Sequence, residues 1–129
     1  MNVKFISVDF QKDFSNPIGK NFNKGKSVDF VKKTFIPYCK ENGFIINEII
    51  SDYRHPRPNK LGTKCSCIPG TEGFESEIPN DVKNPNQWIK CMNNPIWTRE
   101  NAGNPNKQAG IPYQNPTGFD KWLEDTIGT

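Results

Sequence analysis

The chain has one histidine, four irregularly spaced cysteines, and no apolar run approaching the about 20 residues that a membrane-spanning helix needs. A single histidine leaves little from which to build a zinc site, since structural zinc takes four nitrogen or sulfur ligands. The lack of a long apolar run excludes a helical membrane span. The opening MNVKFISV has a short apolar stretch that ends on an acid, unlike a signal peptide, and the cysteine spacing does not suggest a disulfide scaffold. A cytoplasmic protein is expected. Cys65-Ser-Cys67 is the one close cysteine pair, either half of a metal site or two incidental thiols. Apolar residues are sparse at 33%, against about 45–50% (glycine included) in an average globular domain. So poor a core implies long surface loops or a larger assembly that completes it. Positive charge is thin as well. The net charge of +3 comes from scattered lysines, with Lys24, Lys26, Lys32 and Lys33 only loosely grouped. A nucleic-acid binder would carry a basic stripe with stacking aromatics.

What is present reads as one domain over 1–129, a length that suits a single core. Residues 3–9, with Val3, Phe5, Ile6 and Val8, read as a nearly continuous apolar strand buried on both faces of a parallel sheet. Residues 15–27 contain Pro17, Gly19 and Gly25 and read as a loop. Ser27 is a candidate helix cap. Val28, Val31, Phe35 and Tyr38 then fall on one helical stripe, with Pro37 expected to kink or end it and Gly43 to stop it. FIINEIISDY (44–53) reads as a second strand, QWIKCM (87–92) as a short third, and GFDKWLEDTIG (118–128) as a last helix. The segments 54–86 and 93–117, rich in Pro, Gly and Asn, read as loops, and loops this long are usually functional. Strand, helix, strand, loop, strand, loop, helix predicts an α/β fold with a parallel, Rossmann-like sheet in three layers. The last helix has no strand after it, so the fold is expected to be truncated before its final strands.

Ligands of open parallel sheets bind beyond the carboxyl ends of the strands. Asp9, Asp52 and Lys90 end or nearly end the three strands. Asp9 and Lys90 could pair in such a crevice, where a lysine keeps a carboxylate charged and able to act as a general base. They could equally be a loop-capping aspartate and a surface lysine. Trp88 and Phe119 are expected to pack in the core, whereas Trp97 is as well suited to a pocket as to packing.

VDFQKDF (8–14) resembles the opening motif of the isochorismatase-like cysteine hydrolases, which include nicotinamidases and N-carbamoylsarcosine amidohydrolases. PGTEG (69–73) is similar to a turn of that family, EIP (77–79) follows it, and Lys90 in WIKCM stands where the family places a lysine at a strand end. NPIWTREN (94–101) looks like a subgroup signature. The resemblance implies hydrolysis of a C–N or amide-type bond in a small molecule. A cysteine thiolate attacks, Asp9 takes the thiol proton, and Lys90 supports the charges. A thiol at its ordinary pKa needs such help at neutral pH. In the family the nucleophile follows a further strand, which would begin beyond Thr129, so the chain alone is expected to be inactive. The alternative is a binding module that pairs with another chain.

Cys91 is a poor substitute, because neighbours on a strand point to opposite faces and Lys90 precedes it. Nicotinamidases bind a metal through Asp-x-His, but here the matching place reads Asp52-Tyr53-Arg54, and arginine does not ligate. No metal and no other cofactor is expected. Arg54, Trp97 and Phe14 are the candidate substrate-binding residues. Arg54 would either hold a carboxylate or carbamoyl-like group or pair with Asp52. The expected partner is a small-molecule substrate, with neither nucleic acid nor membrane, and homo-oligomers are compatible with the family.

Overall fold

The computed structural model describes residues 2–57 and 65–128. Strand β1 (Phe5–Val8) leads into a single-turn helix α1 (Lys12–Ser15). A long helical segment follows: α2 (Lys26–Phe30), a π-helical turn (Val31–Phe35) and α3 (Ile36–Asn42). Strand β2 (Ile46–Ser51) runs down the middle of the sheet, and β3 (Trp88–Lys90) completes it. The order is β1-β2-β3, all parallel, with Phe5 beside Ile46, Val8 beside Ile49 and Ser51 beside Lys90. Helix α4 (Pro116–Thr126) comes last. The protein is thus mixed α/β with a three-stranded parallel sheet, and no helix among the described residues is long and apolar enough to cross a membrane.

Helix α3 ends where a left-handed glycine allows it. Gly43 has φ 71°, and its N–H donates to the Cys39 carbonyl. The start differs from the sequence expectation. Gly25 occupies the cap position and Ser27 lies inside the helix, with no side-chain cap. Pro37 does not end the segment either. It sits in the first turn of α3, directly after the π turn, where its missing N–H costs least and the wider turn makes room for its ring. The apolar face of this segment meets one side of the sheet. Ile36 and Cys39 pack with Phe10, Ile46, Ile78 and Val82, and Phe5 meets Phe35 and Phe44 edge-on at 4.9 and 5.2 Å. Trp88 and Phe119, expected as packing residues, do pack, with ring centroids 5.4 Å apart, and the Trp122 indole donates to the Asn86 carbonyl.

The segment 93–117, read as a loop, contains two short strands, β4 (Trp97–Thr98) and β5 (Tyr113–Gln114), paired antiparallel. Two-residue strands leave no periodicity to detect. Residues 65–86 carry two 3-10 turns, Glu72–Phe74 and Asn80–Val82. The part of the long loop at 58–64 lies outside the described residues.

Candidate functional site

The opening motif places three polar side chains at the carboxyl end of β1, and each turns to a different task. Asp9 has φ 59°, a left-handed conformation that aspartate tolerates better than most residues. Its backbone N–H still donates to Ile49 O, so the strand pairing holds up to the bend. Gln11 is fully buried. Its amide donates to the carbonyls of Ser51 and Phe74 and accepts from Ser51 N–H, which ties the ends of β1 and β2 to the first 3-10 turn. Asp13 accepts from the backbone N–H of Cys67 at 2.7 Å and of Lys20 at 3.2 Å. Its carboxylate lies against Gly73, where an added Cβ would collide with both oxygens. The PGTEG turn therefore needs its second glycine because the motif's second acid occupies the space.

Asp9 itself meets Lys90. The ammonium lies 3.1 Å from Asp9 Oδ2, and it also donates to Ser51 Oγ (2.8 Å), Tyr53 Oη (2.6 Å) and the Met92 carbonyl (3.2 Å). Ser51 Oγ–H in turn donates to Asp9 Oδ1 at 2.6 Å. The pair is asymmetric: the Lys90 side chain is 3% exposed, the Asp9 side chain 25%. Four oxygens surround three ammonium protons, so Lys90 has no donor left for a ligand. Asp9 has used one lone pair on each oxygen and keeps the others. It is the face of the couple that solvent, or a substrate, can reach.

Ser51 and Tyr53 carry no signal of their own in the sequence, although both lie at the end of FIINEIISDY (44–53). Strand alternation places 51 and 53 on the side of Lys90, and Tyr53 is held there by Arg57, whose guanidinium carbon lies 3.9 Å from the ring centroid. Phe14 reaches the same place, with its ring 6.4 Å from that of Tyr53. It also lines a cavity of about 300 Å³ beside Asp9.

The other candidates lie elsewhere. Arg54 grips Asp52 through Nε and Nη2 (3.0 and 2.7 Å) and donates to the carbonyls of Asn101, Asn104 and Lys107. Of the two alternatives for Arg54, the geometry is that of the Asp52 pair, and that pair is buried on the aspartate side. Gly103 N–H also donates to Asp52. The Asp52–Arg54 pair thus pins the 101–107 loop. Trp97 sits on β4, where its carbonyl accepts from Cys91 N–H. It is not among the residues lining the cavity at Asp9.

Cys67 belongs to the 54–86 segment that reads as a loop. It is fully buried, with φ 49°, and the charges that act on it include Asp13, Asp9, Lys90 and Asp52. Its backbone N–H donates to Asp13. Burial first, and the Asp13 and Asp9 carboxylates after it, push its thiol far above the ordinary range. Burial raises Cys91 as well, against the lowering effect of Arg99. Neither is poised as a thiolate. Among the described residues, no group of three His, Cys, Asp or Glu side chains is arranged to hold a metal ion.

No family model, curated protein or solved structure matches this chain.

Proposed function

We propose that this chain carries the acid–base part of an isochorismatase-like cysteine hydrolase acting on a C–N or amide-type bond of a small molecule. The observation that supports this reading is the Asp9–Lys90 couple, in which a saturated, buried ammonium stands behind a carboxylate with free lone pairs. The motif order, the parallel sheet and the meeting of the 8–14, 69–73 and 87–92 segments at one strand end favour it. So does the layering, with α3 against Phe5 and Ile46 and α4 against Trp88, which are on alternate faces of a pleated sheet. In this reading Asp9 accepts the proton of a thiol, the thiolate sulfur bonds to the carbonyl carbon, the C–N bond breaks with the proton delivered to nitrogen, and water releases the acyl group. None of the four thiols of this chain is assigned that role. The reading requires one brought to the open side of Asp9 by another segment.

The test is ammonia release from a panel of carboxamides by the protein made from the complete reading frame. Turnover is expected, with Asp9→Asn lowering kcat/KM at least a hundredfold, in the range of a lost general base. Full activity of a folded Asp9→Asn protein would refute the role of Asp9.

A second reading, a module that pairs with another β-strand, is favoured by one observation. Among the described residues β1 is hydrogen-bonded to a strand on one side only, and its Ile6 and Val8 are 41% and 56% exposed. Sedimentation of the chain alone tests it: reversible association lost in Val8→Lys supports strand pairing, and a monomer at all concentrations opposes self-pairing.

A further inference from the structure

We propose that Arg99, from the NPIWTREN stretch, is a positioning residue of the Asp9–Lys90 couple and acts through Tyr53. The inference rests on the proposed role of that couple. Three of the four acceptors around the Lys90 ammonium are held by the sheet or by Lys90's own chain. Asp9 is tied by its N–H to Ile49 O, Ser51 stands in register beside Lys90, and Met92 follows Lys90 closely in the chain. Tyr53 is different. It lies past the end of β2, with a bridge to Ser66, yet its hydroxyl makes the shortest of the four contacts, at 2.6 Å.

Arg99 brackets that residue. Its Nη2 donates to the carbonyls of Asp52 (3.4 Å) and Arg54 (3.0 Å), the neighbours of Tyr53, and its Nη1 donates to Gly110 O at 3.3 Å. A planar fork suits this span, because its donors are fixed relative to one another. Strand β4 delivers the arginine. Thr98 Oγ1 donates to Ile89 O at 2.9 Å, and Cys91 N–H donates to Trp97 O at 3.1 Å. The two residues before Arg99 are thus fastened to the two neighbours of Lys90, while Arg99 itself is fastened to the two neighbours of Tyr53. One stretch sets the distance between the ammonium and the phenol. The device is costly for a filler of the core. Arg99 is 3% exposed, and its Nε has no hydrogen-bond partner among the described residues. A buried guanidinium with an orphaned N–H is harder to accommodate than an apolar side chain of similar size. What it adds over such a side chain is the set of bonds around Tyr53 and Gly110.

Exchange of the Lys90 ammonium protons with water, followed by NMR on the 129-residue chain, reads this support directly. A buried ammonium exchanges only when its acceptors let go. Arg99→Met is expected to speed that exchange about tenfold, and Tyr53→Phe to do the same. The double variant should add no more than about twofold to either, because both changes remove one support. Thr98→Val is the control: it loses a bond of β4 but keeps the fork, and its exchange should stay within about twofold of the native rate. Should Arg99→Met not fold, Arg99→Lys, which keeps the charge without the fork, is expected to accelerate exchange in its place. Native exchange in a folded Arg99 variant, additive effects in the double variant, or equal acceleration in Thr98→Val each overturns the proposal. So does failure of both Arg99 variants to fold, which would make the arginine a requirement of the fold as a whole. In the protein made from the complete reading frame, Arg99→Met should lower kcat on a carboxamide about tenfold and leave KM within about twofold. Turnover untouched by a folded Arg99→Met sinks the positioning inference alone. Accelerated exchange in a protein with no turnover sinks the hydrolase reading alone.

Discussion

A buried ammonium and a partly exposed carboxylate do not suffer equally when separated. Lys90 has no route to water, whereas Asp9 can be hydrated once its partner is gone. Asp9→Asn keeps the left-handed backbone that asparagine also tolerates, but it strands the lysine charge among Ser51, Tyr53 and the Met92 carbonyl. A loss of about 3 kcal/mol is expected, the low end of the range for breaking a buried pair. Lys90→Met should cost less, and the double variant less than Asp9→Asn alone. Urea unfolding of the three variants checks the order, and equal costs would mean that Lys90 reaches solvent. The thiols give a second test at this scale. Burial raises Cys39, Cys67 and Cys91 above the ordinary thiol value. A thiol reagent at neutral pH should therefore leave these three unmodified in the native protein and modify all four cysteines in urea. Rapid native labelling of Cys67, read by peptide mass, would show that the segment burying Cys67 opens.

At the scale of elements, the two turns of the opening and PGTEG motifs act as one unit. Asp13 is held by two backbone N–H groups and cannot give way to a new side chain at Gly73. Gly73→Ala is expected to destabilise by about 2 kcal/mol through overpacking, and Gly73→Ala combined with Asp13→Ser should recover part of that loss in thermal unfolding. The spacing of the motifs was visible in the sequence, but the reason was not. A glycine sixty positions away from an acid carries no local signature, because only folding brings the two within contact. The same holds for the π turn before Pro37. The sequence shows a proline in a helical stripe, and packing of the α3 face on β2 decides that the helix continues through it.

Across the whole molecule, acid stability is expected to follow Glu77, which joins α1, the long helical segment and the EIP stretch. Burial raises its pKa, but hydrogen bonds from Ser15, Lys32 and Asn16 outweigh that and hold it below its ordinary value of 4.5. A carboxyl depressed in the folded state binds protons less readily than in the unfolded chain. Its contribution is therefore present above the ordinary value and is lost as pH falls through the folded one. Urea midpoints should decline below about pH 4.5 in the native chain and decline less steeply in Glu77→Gln. Parallel acid limbs would assign the sensitivity to other carboxyls.

The sequence by itself determined the three strands, the helix that Gly43 ends, the last helix and the strand ends on which Asp9 and Lys90 stand, because apolar periodicity and left-handed glycine are local properties. Only the tertiary structure decided that Ser51 and Tyr53 share the lysine, that Arg54 is committed to the carbonyls of Asn101, Asn104 and Lys107 as well as to Asp52, and that the Cys67 N–H holds Asp13. Each of those depends on hydrogen-bond donors and acceptors far apart in the chain being satisfied in one buried place, and residue spacing does not encode which of several possible partners takes a proton.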